Sequence, residues 1–369
     1  MKQFKDTFDR YSWEESMESI YAKTSREVEK ALSSAHRTEE DFKALVSPAA
    51  APYLERMAIM SQQITRKRFG KTIQLFAPLY LSNECSNICT YCGFSLNNKI
   101  KRRTLNAGEI LEEIAILKKH GFNHLLLVTG ESNHTVHIDY FLQAIEIIRP
   151  HFANISLEVQ PLSEEEYRRL QQAGVHAVLV YQETYHKEKY KEFHLKGKKA
   201  NFYYRLETPD RIGRAGIHKI GLAVLLGLGD WRTDSFFCSL HLRYLQRTYW
   251  QTKYSVAFPR IRPAEGVEST NFHITDKELV QLMCAYRLLE EHVELSISTR
   301  EPEAFRDQLI QLGTTTMSAG SKTNPGGYSV DKESLEQFEI SDERSPESVA
   351  AIISASGYDP VWKDWEKSF

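Results

Sequence analysis

The sequence has no apolar run approaching the ~20 residues that a bilayer-spanning helix needs. Its opening residues, MKQFKDTFDRYSWEESMESI, contain no apolar segment of the kind found in secretory signals. The net charge of the 369-residue chain is only -2 at pH 7, which gives no electrostatic reason to expect a nucleic acid or an anionic membrane as partner. We therefore predict a cytoplasmic protein that binds neither.

Cysteine is also scarce, with five residues in the whole chain. A cytoplasmic setting keeps thiols reduced, so a disulfide framework is not expected. Cys238 and Cys284 stand alone in helix-like patterns, and we predict that both are small buried hydrophobic residues. The other three, Cys85, Cys89 and Cys92, fall in the single run ECSNICTYCGF, which makes this run the one candidate cysteine site.

Short apolar runs alternate with amphipathic helical patterns from residue 73 onward, and there is no repeat or low-complexity segment. About eight such strand–helix units favour a closed parallel (β/α)8 barrel over an open sheet. Residues 1–70 read as helices without a Pro/Gly/Ser-rich linker after them. We predict a helical lead-in over 1–70, a barrel over 71–322 and an extension packed on the barrel over 323–369.

Polar residues recur at the carboxyl end of nearly every predicted strand, the face where barrel enzymes carry their chemistry. Along the chain these are the cysteine loop, Thr129-Gly130-Glu131, Glu158 and Gln160, Gln182-Glu183-Thr184-Tyr185, Gly227 and Gly229, Arg260 and Arg262, Thr299-Arg300-Glu301, and Ser318 to Lys322.

The spacing Cys-x3-Cys-x2-Cys favours an iron–sulfur cluster with three protein thiolates and one open iron. Structural zinc normally takes four closed ligands, and no second cysteine pair is present. Redox chemistry of a Cys-x2-Cys pair would use Cys89 and Cys92 and leave Cys85 unexplained. Zinc and redox or incidental cysteines remain alternatives on spacing alone.

The cysteine motif, with Tyr91 before the third Cys, resembles the signature of the radical S-adenosylmethionine (SAM) enzymes. Within them, the chain resembles the tyrosine lyases of thiamine thiazole biosynthesis, the 2-iminoacetate synthases, along nearly its whole length. The resemblance rests on PLYLSN, CTYCGFS, IKRRTL, HLLLVTGE, EVQPL, VYQETYH, HLKGKK, RLETPDR, GRAGIHKIGL, STRE, SKTNPGGY, LEQF and VWKDW.

This resemblance implies a lyase that cleaves the Cα–Cβ bond of L-tyrosine to 2-iminoacetate and p-cresol by means of a 5′-deoxyadenosyl radical. The implied cofactors are one [4Fe-4S] cluster, SAM and an external one-electron reductant. A flavodoxin-type or NADPH-linked electron donor and the thiazole synthase are the implied protein partners. Relatives that cleave tryptophan or mature hydrogenases, and a structural cysteine-metal protein from another class, are the alternatives.

The resemblance also distributes roles among the strand-end residues. Cys85, Cys89 and Cys92 hold the cluster. The SAM site is expected to comprise Tyr91, Thr129, Gly130, Glu131, Glu158, Gln160, Gly227 and Gly229, with Glu131 receiving the amino group. Arg300 is expected to bind the tyrosine carboxylate with Ser318 beside it, and Gln182, Glu183 and Tyr185 to line the substrate cavity. The basic run Lys196 to Lys199 is expected to be a solvated loop or a cover over the barrel mouth.

Overall fold

A computed structural model describes residues 3–267, 273–329 and 336–363. Its strands, in chain order, are β1 (Thr72–Ser82), β2 (Ile88–Cys89), β3 (His124–Thr129), β4 (Asn154–Glu158), β5 (Val175–Leu179), β6 (His194–Lys196), β7 (Lys219–Leu222), β8 (Lys253–Ala257), β9 (Glu294–Ile297), β10 (Thr316–Ser318) and β11 (Asp359–Val361).

Helices precede the barrel and connect its strands. They are α1 (Phe4–Phe8), α2 (Trp13–Tyr21), α3 (Ser25–Ser33), α4 (Glu39–Val46), α5 (Leu54–Phe69), α6 (Ala107–Lys119), α7 (Ile138–Ile148), α8 (Glu164–Gln172), α9 (Lys187–Phe193), α10 (Phe202–Leu206), α11 (Thr208–Arg214), α12 (Trp231–Thr248), α13 (Asp276–Leu289), α14 (Glu303–Leu309) and α15 (Pro346–Ala355). In the described part of the chain, no helix has the length and apolarity to cross a membrane.

Eight parallel strands close on themselves in the order β1-β3-β4-β5-β7-β8-β9-β10, and β10 pairs with β1 to complete the ring. The predicted (β/α)8 barrel is therefore confirmed. Two pairings were not predicted: β2 lies antiparallel to β6, and β11 extends the sheet beside the start of β1. The strands β2, β6 and β11 have only two or three residues each, which is too short to produce an alternating pattern in the sequence.

Helix starts follow local capping chemistry. Asn106 accepts a hydrogen bond from the backbone N–H of Glu109, whose carboxylate accepts one in return from the backbone of Asn106, so α6 begins at Ala107. A box of the same kind, formed by Thr24 and Glu27, starts α3 and separates it from α2.

The lead-in helices share one continuous apolar core with the outer side of the barrel. Helix α5 packs against α13, and Gln281 on α13 donates from Nε2 to the carbonyl oxygens of Leu45 (2.9 Å) and Ser47 (2.8 Å). Cys238 and Cys284 lie buried in α12 and α13, as predicted. The boundaries at residues 70 and 322 stay predictions, and residues 330–335 and 364–369, which include parts of LEQF and VWKDW, lie outside the described residues.

The inside of the barrel holds a cavity of about 250 Å³, which we call the bore. Barrel interiors are usually filled by layers of bulky branched side chains. Here several inward-facing positions carry small residues instead: Ser156, Ser255, Ala257, Ser296 and Ser318. The cysteine loop and the strand ends surround the upper end of the bore, and the first residues of the strands surround its lower end.

Candidate active site

The three clustered thiols line the upper bore together. Cys85 and Cys92 follow the end of β1, and Cys89 lies in β2. Arg102 fixes this loop from below, because its guanidinium donates to the carbonyl oxygens of Asn83 (2.6 Å) and Phe94 (2.9 Å). The loop is thereby held by backbone contacts that do not depend on what the thiols bind.

A second loop, which carries the HLKGKK motif, packs on the cysteine loop through the β2–β6 pairing. The Tyr91 hydroxyl lies 2.7 Å from His194 Nε2, and the backbone N–H of Lys199 donates to Asn87 Oδ1 at 3.0 Å. Gly197 has φ +93°, and a Cβ there would overlap the Asn87 side chain. Glycine is thus required for the loop to approach the cysteines so closely.

Four charged side chains form a buried cluster beside the thiols. Glu131 Oε1 lies 2.8 Å from Arg205 and 3.8 Å from Lys199 Nζ, while Glu183 Oε1 lies 2.7 Å from Lys199 Nζ and 3.6 Å from Arg205. Burial alone would raise the pKa of both carboxyl groups, but Lys199 and Arg205 outweigh it and hold both pKa values below the usual range. All four groups are therefore charged at neutral pH.

Glu183 carries backbone strain. At φ +70° it is the one non-glycine residue in the described ranges with a left-handed backbone. Asp234, buried at the start of α12, accepts hydrogen bonds through Oδ1 from the Tyr185 N–H (2.7 Å) and the Thr184 hydroxyl (3.0 Å). These bonds fix the residues after Glu183 and so orient its carboxylate toward Lys199.

Arg300, which follows β9, also lines the bore. Its guanidinium stacks 3.3 Å from the centroid of the Phe338 ring, and it donates to the carbonyl oxygen of Arg260 at 3.3 Å. Ser318 lies beside it and accepts from the Thr299 N–H at 3.1 Å. Arg300 is thus packed against an aromatic face.

Glu158 also lines the bore, in contact with the Tyr181 hydroxyl. Burial raises its pKa to about 7, although Arg300 acts in the opposite direction. Glu301, which follows Arg300 in the chain, pairs with other arginines. It is buried and binds Arg260 and Arg262.

Of the predicted SAM residues, Tyr91, Thr129, Gly130, Glu131 and Glu158 line the bore. A Cβ on Gly130 would lie only 2.3 Å from the carbonyl oxygen of Glu84, which explains the glycine independently of any ligand.

Gln160, Gly227 and Gly229 do not line it, and their placement at the cofactor site stays a prediction. Gln160 instead donates to the Val136 carbonyl, and Gly227 packs against Ile261.

Among the predicted substrate residues, Arg300, Ser318 and Glu183 line the bore, but Gln182 and Tyr185 do not. Because the chain turns at Glu183, Tyr185 points away from the barrel axis. Its ring stacks on Phe237 and its hydroxyl lies 3.0 Å from His241 Nδ1, so it is a core residue. Gln182 is buried outside the cavity as well.

Sequence reasoning missed Arg205, Tyr181 and Phe338 and misjudged Lys199. Only Lys199 of the basic run enters the site, whereas Lys196 and Lys198 are exposed as predicted. Arg205 lies on α10, in the RLETPDR stretch, where neither periodicity nor strand-end position marks it. No pattern in the sequence indicates which of several lysines turns inward.

The donor set fits an open cluster better than a single ion. In the described ranges, no three His, Cys, Asp or Glu side chains are arranged to hold one metal ion. A [4Fe-4S] cluster does not require three side chains to converge on one point, because each thiolate binds its own iron. Burial raises the pKa of Cys85 to about 11 and raises the pKa values of Cys89 and Cys92 too, so metal binding has to displace their protons.

Comparison with known proteins agrees with this geometry. Residues 79–237 match the family model of the Radical SAM superfamily, and residues 257–359 match that of the Biotin and Thiamin Synthesis associated domain. The 2-iminoacetate synthase of Escherichia coli is 51% identical to the chain, over 99% of this chain and 97% of that protein. The 2-iminoacetate synthase of Salmonella typhimurium is 51% identical over the same shares.

Among solved structures, the FeFe-hydrogenase maturase HydG from Carboxydothermus hydrogenoformans is similar at a TM-score of 0.85 and 29% identity. The superposition covers 95% of this chain and 80% of that one.

Proposed function

The chain belongs to the 2-iminoacetate synthase family of radical SAM lyases, and from that premise we propose how its barrel cleaves the Cα–Cβ bond of L-tyrosine to 2-iminoacetate and p-cresol. The single observation that carries the proposal is that Arg300 and the three thiols line one cavity. A carboxylate-binding group and a cluster-binding group thus face the same enclosed space.

Cys85, Cys89 and Cys92 would hold the [4Fe-4S] cluster that enzymes of this family use. Such a cluster, when bound, would supply the electron for reductive cleavage of SAM to methionine and a 5′-deoxyadenosyl radical. The protein binds and orients SAM and tyrosine, and it excludes water from the site. The loop that carries the HLKGKK motif closes the bore on the cysteine side, through the β2–β6 pairing and the packing of Tyr91 on His194.

The buried charge cluster is proposed to bind the zwitterionic end of SAM. Glu131 receives the ammonium group, since its carboxylate is ionised and faces the thiols, and Lys199 and Arg205 attract the carboxylate. Glu158 is assigned to the ribose hydroxyls and Tyr91 to the adenine. Lys199 also favours negative charge on the sulfurs of Cys89 and Cys92, because its cation acts against the effect of burial on their pKa values.

Arg300 is proposed to bind the tyrosine carboxylate through its guanidinium fork. The stack on Phe338 fixes the plane of the fork, so the amino acid is held in one orientation. Ser318 adds a hydroxyl beside it. The amino group and Cα–Cβ bond of the substrate then face the cysteine side, where the radical is produced.

The decisive experiment incubates anaerobically reconstituted protein with SAM, a one-electron reductant and tyrosine. We expect a brown protein with about four irons per chain that releases p-cresol and 5′-deoxyadenosine. Colourless protein with stoichiometric zinc would contradict the proposal. Methylindole-type products from tryptophan, with no p-cresol from tyrosine, would assign the chain to the related tryptophan-cleaving activity.

Arg300→Lys tests the substrate role directly. Lysine keeps the charge but cannot form the bidentate fork, so productive tyrosine binding should fall roughly tenfold or more while SAM cleavage is partly retained. Arg169→Lys, in an exposed ion pair with Asp139, is the matched control and should behave as wild type. Unchanged apparent affinity for tyrosine in Arg300→Lys would refute the assignment.

The thiazole synthase as protein partner, and a flavodoxin-type or NADPH-linked electron donor, are proposed from the family resemblance. Co-purification of the thiazole synthase with the chain tests the first. The electron donor is tested by adding each candidate to the protein and measuring reduction of the cluster as a loss of its visible absorbance.

A further inference from the structure

The third thiol of the cysteine loop has a side-chain hydrogen-bond donor beside it. Gln337, which lines the bore, donates from Nε2 to Cys92 Sγ at 3.8 Å. Hydrogen bonds to sulfur are longer than those to oxygen because the sulfur atom is larger. The two residues are 245 positions apart in the chain, so only the folded barrel brings them together. The amide of Gln337 thus contacts one of the three proposed cluster ligands.

The amide of Gln337 is oriented so that its donor faces the thiol. The Tyr80 hydroxyl donates to Gln337 Oε1 at 2.7 Å. A tyrosine hydroxyl carries its proton at neutral pH, so it occupies the oxygen side of the amide and leaves the NH2 side for Cys92. An O–H donor on one side and a sulfur acceptor on the other therefore select one of the two possible amide orientations.

The backbone of Gln337 is fixed on both sides. Its N–H donates to the Thr323 carbonyl at 2.9 Å, and its own carbonyl accepts from the Gly93 N–H at 3.1 Å. A Cβ on Gly93 would lie 2.7 Å from that carbonyl oxygen, so the glycine after the third cysteine permits the approach. The next residue, Phe338, stacks on Arg300. The side chain of Gln337 therefore extends from a fixed backbone, and its bond to sulfur is preorganised.

A hydrogen bond to a ligand sulfur changes the reduction potential of an iron–sulfur cluster. One-electron reduction adds negative charge that is shared with the thiolate sulfurs. An N–H group that points at a sulfur stabilises this charge, so the bond is stronger in the reduced state than in the oxidised state. The difference between the two states raises the reduction potential.

We propose that Gln337 is a positioning residue that raises the reduction potential of the cluster through its hydrogen bond to Cys92. The inference rests on the proposed function for the presence of a [4Fe-4S] cluster on the three thiols. An external one-electron reductant supplies the electron, and Gln337 increases the fraction of cluster that a given reductant can reduce. Cleavage of SAM requires that electron, so Gln337 acts on the reaction through Cys92.

The test is a redox titration of anaerobically reconstituted protein, monitored by EPR, without SAM or tyrosine. Gln337→Met keeps the approximate size of the side chain and removes the donor. At a fixed ambient potential, the ratio of reduced to oxidised cluster should fall by a factor of about 3 to 10, which for one electron is a shift of about 28 to 59 mV to lower potential. Gln311→Met, at an exposed glutamine, is the matched control and should titrate as wild type does.

A merely structural role of Gln337 would lower the iron content and leave the potential of the loaded cluster unchanged. Gln337→Met also removes the acceptor of the Tyr80 hydroxyl, and a buried donor without a partner destabilises the fold. The double variant Gln337→Met with Tyr80→Phe has no such donor and should show the same shift. An unchanged potential in either variant, at about four irons per chain, would overturn the proposal.

Pulsed EPR of the reduced wild-type protein provides a measurement that needs no variant. With an isotopic nitrogen label in the side-chain amides of glutamine, we expect a magnetic coupling between that nitrogen and the cluster. Absence of the coupling would overturn the proposal. Failure of the wild type to bind a cluster would overturn both this role and the proposed function. A loaded cluster with the expected potentials but no p-cresol from tyrosine would overturn the proposed function alone.

Discussion

Replacing Lys199 by methionine should destabilise the protein strongly, and the charge cluster sets the size of the effect. Lys199 makes the close contact to Glu183, at 2.7 Å, whereas Arg205 reaches that carboxylate only at 3.6 Å. Glu131 keeps its 2.8 Å contact to Arg205. The substitution therefore leaves Glu183, at 11% exposure, with only the longer contact to Arg205, which already pairs with Glu131, and removal of one partner of a buried pair costs about 3–5 kcal/mol.

The loss should depend on pH with a definite sign. In the wild type the pKa of Glu183 lies below its unfolded value, so its stabilising contribution is present above the unfolded pKa and is lost as pH falls. Without Lys199, burial dominates and the folded pKa rises above the unfolded one. The stability gap between the two proteins should therefore widen from pH 6 to pH 8.

Urea denaturation of reconstituted protein at these two pH values, followed by tryptophan fluorescence, measures the free energy of unfolding. Lys198→Met, at an exposed neighbour in the same run, is the matched control and should change stability by no more than about 0.5 kcal/mol. The double variant Lys199→Met with Glu183→Gln should recover most of the loss, because no charge is left unpaired. Equal effects of the two lysine variants, or a further loss in the double variant, would refute the reasoning.

Three further predictions concern other walls of the site. Gly130→Ala should reduce iron content after reconstitution, because the added Cβ displaces the Glu84 carbonyl of the cysteine loop, while Gly229→Ala, with its nearest atom at 3.5 Å, should load normally. The wild-type protein should lose stability as pH rises from about 4.5 to 7, because a carboxyl group with a raised pKa stabilises the fold only while it is protonated. Glu158→Gln should reduce this dependence of the melting temperature on pH. An unchanged dependence in the variant would contradict the prediction. Asp234, whose pKa burial raises to about 8, should tolerate Asn with little change in melting temperature, whereas Asp234→Ala should cost about 1–3 kcal/mol by leaving its buried donors unpaired; equal losses would argue against the assigned bonds.

The barrel could be predicted from the sequence because its signals are local. Eight apolar strands and capped helices such as α6 depend on residues within a few positions of one another. The strands β2 and β11 could not be predicted, since each has two or three residues and exists only through its partner. Tertiary pairing, rather than β-propensity, forms them.

The residues of the site also divide into those that the sequence could indicate and those that only tertiary pairing brings in. The thiols, Glu131, Glu158 and Arg300 occupy loop and strand-end positions that topology alone brings together, and all of them line the bore. The sequence could not indicate that Lys199 enters the site, because its burial depends on the β2–β6 pairing. The sequence also could not indicate that Tyr185 packs in the core rather than along the bore, because the chain turns at the left-handed backbone of Glu183 and no residue type there marks the turn.

Barrel closure places the earliest barrel strand in contact with segments made much later. The strands β10 and β11 both pair with β1, and the backbone of Gln337 accepts a hydrogen bond from Gly93 at 3.1 Å, just after the last cysteine of the loop. On the ribosome, the stretch between Gly93 and Gln337 takes tens of seconds to synthesise at about 5–20 residues per second. For that interval the thiols have been translated but the segment around Gln337 that packs beside them has not, so the nascent chain has a period in which iron and sulfide can reach them before the barrel closes.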